Sequence, residues 1–241
     1  MNNLTLSIII PAFNEEKYIS NCLNYIFNAQ KLWFVLEIIV VDNNSNDNTA
    51  KIAKLFSNVK VISEKKQWTN FARQAWYLVS KWDLIAFIDA DTQIPINRPK
   101  YVIDIFIKNS EIWTLVWWYS YYDANFLQNF YSKIVWYIWV PILREIIWYV
   151  GNWWNMIIKK SVLDKIWWFD TSLKFYWDDV NTARRASKIQ KCVYKSKIII
   201  PTSYRRFTWA WFLKTNISYI KAFFYEIIKK EAYNPKDEHF R

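Results

Sequence analysis

Residues 84–91, Leu-Ile-Ala-Phe-Ile-Asp-Ala-Asp, form an apolar run that ends in two carboxylates. A short apolar run of this kind is typical of a strand buried on both faces, as in a parallel sheet. The acidic pair then falls at the carboxyl end of the strand, where open α/β sheets bind their ligands. Asp89 and Asp91 are therefore the first candidate functional residues of the chain.

The rest of the chain alternates between strand and helix patterns. Apolar β-branched runs predict the strands, and apolar residues at helical spacing predict the helices. The predicted strands are 5–11, 36–41, 59–63, 84–88, 111–119, 155–159 and 193–201. The predicted helices are 15–29, 49–56, 70–80, 98–108, 126–149 with a break at Pro141, 179–189 and 208–230. This alternation favours an α/β fold with a doubly wound, mostly parallel sheet and helices on both faces.

The length of 241 residues is suited to one domain with a large buried core. Regular alternation covers the first 95 residues and loosens after Pro95. We expect a domain at 1–206, divided into halves at 1–95 and 96–206, followed by an amphipathic helical extension and tail at 207–241.

The chain is strongly basic, with 32 Lys and Arg against 21 Asp and Glu and a net charge of +11. Its partners are therefore expected among nucleic acids, anionic lipids and phosphorylated small molecules. Cys22 and Cys192 are the two cysteines, so a disulfide framework is not expected. A reducing compartment is expected instead. The strand pattern begins at the N-terminus without a signal peptide pattern, which favours a cytoplasmic protein.

Two segments, 126–149 and 208–230, combine aromatic and aliphatic residues with Lys and Arg. Amphipathic basic segments of this kind lie in the headgroup plane of anionic membranes. Peripheral attachment to the inner face of the cell membrane is therefore one interpretation. Packing of both segments on the domain core is the other.

Glycine occurs once in the chain and tryptophan 17 times, whereas a chain of this length has about 17 glycines on average. Turns and helix C-caps often need a positive φ angle, which glycine adopts freely and tryptophan avoids. Trp82, Trp153 and the pair Trp167-Trp168 stand at such places. We hypothesise that many tryptophan positions are glycine in the native protein, as results when UGA codons that an organism reads as glycine are translated as tryptophan. A truly tryptophan-rich protein is the alternative.

Three polar clusters follow three predicted strands, at 11–15, 42–44 and 89–91. Parallel strands would bring them to one cleft. Paired carboxylates there suit Mg²⁺ or Mn²⁺, and Gln93 could supply a further oxygen. Zinc is not expected, because the single histidine is His239 in the tail and the two cysteines are far apart in sequence.

Eight stretches of the chain together resemble the family 2 glycosyltransferases of the GT-A fold. They are 7–15, 38–49, 69–76, 82–92, 152–156, 167–170, 177–185 and 203–207. The resemblance implies inverting, metal-dependent transfer of a sugar from a nucleoside diphosphate sugar to an acceptor hydroxyl or lipid phosphate, in cell-envelope polysaccharide or glycolipid synthesis. The acceptor would be a sugar or a polyprenyl lipid. The family pattern has glycine at the positions of Trp68, Trp76, Trp82, Trp168 and Trp177, which agrees with the recoding hypothesis.

The resemblance also assigns donor-binding residues in the half at 1–95, and acceptor binding to the half at 96–206. The residues that would contact the donor nucleotide are Pro11, Phe13, Glu15, Asp42, Arg73 and Asp89. Asp91 would ligate the metal with Asp89 and Gln93, since 89–93 is similar to the polyprenyl-phosphate mannose synthases. Asn43 stands where members that bind uracil often have a second acid, so a uridine donor is not implied.

Trp177-Asp178-Asp179 matches a Gly-Glu-Asp motif of the family, with Asp178 in place of the glutamate. Direct displacement at the anomeric carbon needs a base opposite the leaving group, and Asp179 is the candidate. Asp178 would position the acceptor or start the helix. Arg205 and Arg206 resemble a basic motif suited to phosphate or acceptor binding, and a solvated basic pair is the alternative.

Two other functions remain open on the sequence alone. A nucleotidyltransferase also uses a metal and paired acids on a similar sheet, but does not require a base at Asp179. A nucleic-acid-binding module would suit the positive charge. Lys and Arg are spread along the chain rather than striped, so nucleic acid is not the expected partner.

Overall fold

The computed structural model describes residues 4–30, 35–65, 83–134, 137–138, 156–167 and 178–205. The strands described are β1 (Leu6–Ala12), β2 (Val35–Asp42), β3 (Val59–Ser63), β4 (Leu84–Phe87), β5 (Ile112–Tyr121), β6 (Met156–Lys159) and β7 (Lys191–Thr202). The helices described are α1 (Ile19–Gln30), α2 (Thr49–Lys54), α3 (Arg98–Lys108), α4 (Phe126–Ile134), α5 (Lys160–Lys165) and α6 (Asp178–Ser187). No helix in these ranges is long and apolar enough to cross a bilayer.

The seven strands form one sheet in the order β3-β2-β1-β4-β6-β5-β7. β1 pairs in parallel with β2 and β4, β2 with β3, and β5 with β7. β6 runs antiparallel to both of its neighbours, β4 and β5. All strands except β6 therefore point the same way, and their carboxyl ends meet at one edge of the sheet.

The sheet has a hydrophobic core on each face. On one face, Ile8 and Ile10 of β1 pack with buried residues of α1, α2 and α3, among them Leu23 and Phe106. On the other face, Ile9 packs with buried residues of α5 and α6. Alternate residues of β1 point to opposite faces because a strand has a period of two. The apolar run of β1 is continuous because both faces are covered.

The predicted mostly parallel α/β sheet with helices on both faces is confirmed. The predictions for β3 and α3 match the observed bounds, and most other predicted elements agree within a few residues. The reversed direction of β6 was not predicted. The predicted helices 70–80 and 208–230, and most of 126–149, lie outside the described residues. The division at 95 and 206 stays a prediction.

Three non-glycine residues of the described chain have positive φ: Asn14 at 55°, Asn44 at 63° and Trp167 at 58°. Asparagine tolerates the left-handed region better than other residues that carry a Cβ, so Asn14 and Asn44 suit the turns after β1 and β2. Trp167 comes directly after Ile166, the C-cap residue of α5, at a position that glycine often fills, and it is 84% exposed. This geometry agrees with the hypothesis that Trp167 is a glycine in the native protein.

Trp113 is in a different environment. It is fully buried in the core on the α5 and α6 face, and its indole nitrogen has no hydrogen-bond partner in the structure. The pairing of β5 with β7 shifts register between Ile112 and Thr114, on either side of Trp113. The tryptophans of the described chain are therefore not structurally equivalent.

Candidate functional site

The loops that leave the carboxyl ends of the parallel strands are joined by hydrogen bonds. The Asn43 backbone donates to the Ala12 carbonyl over 2.8 Å, and the Asn46 backbone donates to the Asn14 side chain over 2.9 Å. The Gln93 backbone donates to the Pro201 carbonyl over 2.9 Å, which brings β7 to the acidic turn. The predicted convergence of the clusters after β1, β2 and β4 is therefore present.

Glu15 is held at this edge by the start of α2. Its backbone N–H donates to Thr49 Oγ1 over 2.7 Å, and that hydroxyl donates to Asp47 Oδ1 over 2.5 Å. Burial pushes the pKa of Asp47 upward, but hydrogen bonds from Thr49 and from the Glu16 backbone outweigh it and hold the pKa below its ordinary value. The Glu15 side chain is buried, so its carboxylate needs a partner inside the protein.

The acidic turn 89–91 is anchored on two sides. The Thr92 backbone donates to the Asp89 carbonyl over 3.0 Å, and the Cys22 thiol of α1 lies 3.5 Å from the same oxygen. Burial, followed by the negative charge of Asp91, raises the pKa of the Cys22 thiol, which therefore stays protonated. Asp91 is buried, and its Oδ1 accepts a hydrogen bond from Thr202 Oγ1 over 3.1 Å.

Arg205, just beyond β7, joins the two buried carboxylates. Its Nε donates to Asp91 Oδ2 over 2.9 Å, and one terminal nitrogen lies 2.5 and 2.6 Å from the two oxygens of Glu15. The guanidinium carbon lies 4.3 Å from the centre of the Tyr18 ring, a cation–π contact. Charge-assisted bonds of this kind are strong and directional.

The segment 203–205 is fixed by Asp123, which follows β5. Its carboxylate accepts hydrogen bonds from the Ser203 hydroxyl and the Tyr204 backbone, both at 2.5 Å. The neighbouring Tyr122 hydroxyl donates to the Asp91 carbonyl over 3.2 Å. Burial, followed by the charges of Asp91 and Asp123, raises the pKa of Tyr122 to about 12. The hydroxyl therefore remains a donor at neutral pH.

Asp42, at the end of β2, is buried, and its Oδ1 has no hydrogen-bond partner in the structure. A buried carboxylate oxygen without a donor is costly, because the charge has lost its hydration. Such an atom suits a ligand that brings its own N–H or O–H donor. The neighbouring Asn43 donates its side-chain amide to the Glu64 carbonyl over 3.3 Å.

The oxygen donors at the acidic turn suit a hard divalent cation. Among the described residues, no group of three or more His, Cys, Asp or Glu side chains forms a preassembled metal cage. Mg²⁺ commonly binds one or two carboxylates and completes its shell with water and substrate phosphates. Asp91, with Asp89 beside it, therefore fits a site that the substrate completes.

The remaining predicted residues fall into two groups. Pro11, Phe13 and Gln93 are half-buried at the same edge of the sheet. Asp178 and Asp179 are the first two residues of α6, as predicted for the start of a helix. Arg73 and Arg206 lie outside the described residues. The roles of all of these residues stay predictions.

Sequence reasoning missed Tyr18, Thr202 and Asp123. Tyr18 is three residues beyond Glu15, and this short spacing could have suggested that it belongs to the site. A single aromatic residue in a helical pattern, however, usually packs on the core. Thr202 and Asp123 become recognisable only once β5 and β7 are known to pair.

The chain matches the family model described as glycosyl transferase family 2 over residues 7–168. It is 35% identical over 91 residues to the glycosyltransferase AglE of Haloferax volcanii, which covers 36% of this chain and 30% of the relative. It is 30% identical over 97 residues to the undecaprenyl-phosphate 4-deoxy-4-formamido-L-arabinose transferase of Proteus mirabilis, covering 37% of this chain and 28% of the relative. The matched part thus spans less than a third of either relative.

A similar solved structure is the mannosyltransferase PcManGT of Pyrobaculum calidifontis, in complex with GDP-mannose and Mn²⁺. The TM-score is 0.69 at 16% identity, and the match covers 95% of this chain and 65% of that one. At this identity the likeness shows the fold alone, a mostly parallel sheet with helices on both faces.

Proposed function

The chain belongs to glycosyl transferase family 2, and we propose that it transfers a sugar from a nucleoside diphosphate sugar, with inversion and with a divalent cation, to an acceptor hydroxyl or lipid phosphate. Its place would be the synthesis of cell-envelope polysaccharide or glycolipid. Family membership argues against the nucleotidyltransferase and nucleic-acid-binding alternatives.

The observation that carries this proposal is the chemistry at the carboxyl edge of the sheet. The unpartnered Asp42 Oδ1 lies at the end of β2, and the buried Asp91 follows β4, the second strand along. Asp42 would accept a hydrogen bond from an N–H of the nucleobase, with Pro11 and Phe13 beside it. Glu15, Arg73 and Asp89 complete the proposed set of donor contacts.

Asp91 would hold Mg²⁺ or Mn²⁺, with Asp89 and Gln93 as further oxygen ligands. A cation held by these residues would supply positive charge that offsets the negative charge developing on the leaving diphosphate. The PcManGT structure contains Mn²⁺ together with a nucleoside diphosphate sugar, which supports this assignment.

Asp179 would remove the proton from the acceptor hydroxyl. The acceptor oxygen then forms its bond to the anomeric carbon while the bond from that carbon to the diphosphate oxygen breaks, and the configuration inverts. Asp178, one residue earlier in α6, would orient the acceptor. A phosphate acceptor is already ionised and would need Asp179 for positioning only.

The exposed apolar residues of helix α4 support the proposal that the acceptor is a polyprenyl lipid in an anionic membrane. Phe126, Leu127, Phe130 and Tyr131 are all exposed on one face of this helix, and Phe126 is 82% exposed. Asp123, which fixes the Arg205 segment, precedes α4 by three residues. The net charge of +11 matches a surface of anionic lipid. The proposed location is the cytoplasmic face of the membrane.

The donor can be identified by thermal stabilisation of the full chain with UDP, GDP and dTDP sugars in the presence of Mn²⁺. One nucleotide should raise the melting temperature, and Asp42→Ala should remove that shift. Glu111→Gln is the control, because it removes an acid at the opposite edge of the sheet. The nucleotide should raise the melting temperature of this variant as it does that of the natural chain. If no nucleotide sugar stabilises the full chain, the proposed function is wrong.

A further inference from the structure

Arg205 donates a hydrogen bond to the carboxylate of Asp91, the proposed ligand of the divalent cation. Its Nε donates to Asp91 Oδ2 over 2.9 Å, while Thr202 donates to the other oxygen over 3.1 Å. Both carboxylate oxygens are therefore engaged by protein donors. A cation bound at Asp91 Oδ2 would stand next to the positive guanidinium, so the two positive charges compete for this carboxylate.

The charges explain why the arginine stands there. The side chains of Glu15 and Asp91 are 4% and 3% exposed, whereas that of Arg205 is 26% exposed. Two nearly buried carboxylates left without a counter-charge would strongly destabilise the folded chain. Arg205 is the partly exposed member of this group, so its guanidinium can shift toward solvent when a bound cation supplies the counter-charge instead.

We infer that Arg205 is an internal counter-ion, which holds Glu15 and Asp91 in the metal-free enzyme and competes with the divalent cation for Asp91. When the cation and the donor both bind, the Arg205 side chain moves so that its guanidinium contacts the donor diphosphate. This inference rests on the proposed function. The diphosphate is an anion that the Arg205 guanidinium can bind with two hydrogen bonds, and this replaces its lost contact with the Asp91 carboxylate. Cation and nucleotide therefore bind cooperatively, and the cation alone binds weakly.

The geometry of the segment supports such an exchange. Asp123 fixes Ser203 and the Tyr204 backbone at 2.5 Å, so the base of the Arg205 side chain stays at the edge of the site. The guanidinium lies over the Tyr18 ring at 4.3 Å. The change is confined to one long side chain, and it needs no movement of the sheet.

The test measures Mn²⁺ binding to the full chain by electron paramagnetic resonance, with and without nucleoside diphosphate. Without nucleotide, Arg205→Gln should bind Mn²⁺ roughly ten-fold more tightly than the natural chain. Adding nucleotide should increase the Mn²⁺ affinity of Arg205→Gln less than it increases that of the natural chain. Lys191→Gln removes a positive charge at the opposite end of β7, where the side chain is 80% exposed, and should change neither value.

Tyr18→Leu provides the same test without altering charge, should Arg205→Gln fail to fold. Loss of the ring contact should strengthen Mn²⁺ binding by roughly two- to five-fold. Equal Mn²⁺ affinity in the natural chain and the folded variants overturns the exchange but leaves the proposed function intact. No Mn²⁺ binding to any form, even with nucleotide, removes the metal from the proposed function as well.

Discussion

Arg205 Nε donates to Asp91 Oδ2 over 2.9 Å, although the two residues are 114 positions apart in the sequence. The contact joins the segment after the last strand of the sheet to the acidic turn after β4. It therefore links the two predicted halves, 1–95 and 96–206, at the proposed donor site. A basic residue remote in sequence thus belongs to the same cluster as the acidic motif.

Replacing Trp167 with glycine should stabilise the protein. Trp167 has φ of 58° and an 84% exposed side chain, so the change relieves a strained backbone and removes few contacts. We expect the free energy of unfolding to rise by about 1 kcal/mol, measured by urea denaturation. Trp113→Gly, in the core, should instead destabilise the chain by about 3–5 kcal/mol. A loss of stability in Trp167→Gly would contradict the hypothesis for that position.

The contribution of Asp47 to stability should depend on pH. Hydrogen bonds hold the folded pKa of Asp47 below its ordinary value, so the stabilisation is present above the unfolded pKa and is lost as pH falls through the folded one. At pH 7, Asp47→Asn should cost about 1 kcal/mol. The difference between the two proteins should shrink below about pH 4. A difference that is constant from pH 7 to pH 2.5 would argue against this account.

With a hydroxyl acceptor, Asp179→Asn should lower turnover by roughly two to four orders of magnitude while leaving donor affinity nearly unchanged. The reason is that a base acts on the acceptor and not on the nucleotide. Asp178→Asn removes the neighbouring acid of α6, which is proposed to orient the acceptor, and serves as the comparison variant. If Asp178→Asn abolishes turnover and Asp179→Asn does not, the two proposed roles are reversed.

Much of the fold followed from local patterns. The runs of β1 and β4 are apolar on both faces because both faces of the sheet are covered, and such runs are readable in sequence. β6 has four residues, too few to reveal its direction. Its direction depends on its pairing with β4 and β5.

The candidate site was predictable where it lies at strand ends. Asp42 and Asp89 stand directly after apolar runs, so their convergence follows from a parallel sheet. The contact between Arg205 and Glu15 spans 190 positions and leaves no local signal. The basic motif at 205–206 indicated a phosphate partner, whereas the structure pairs Arg205 with two carboxylates.

The exposed apolar face of α4 should bind anionic vesicles. Changing Phe126 and Phe130 together to serine removes two large exposed rings, and cosedimentation with vesicles containing phosphatidylglycerol should fall at least ten-fold. Leu55→Ser is the control, because Leu55 is also 82% exposed but lies after α2. Binding of the natural chain should weaken in high salt. Equal sedimentation of the double variant and the natural chain would show that α4 is not the membrane contact.

The release of nucleoside diphosphate from a nucleotide sugar, measured with Mn²⁺ and with EDTA, tests the central claim most directly. The natural chain should release nucleoside diphosphate in Mn²⁺ and lose at least 99% of that rate in EDTA, because the charge on the leaving diphosphate is then not offset. Asp91→Asn should resemble the natural chain in EDTA even when Mn²⁺ is present. Full activity of Asp91→Asn, or of the natural chain in EDTA, would contradict the account.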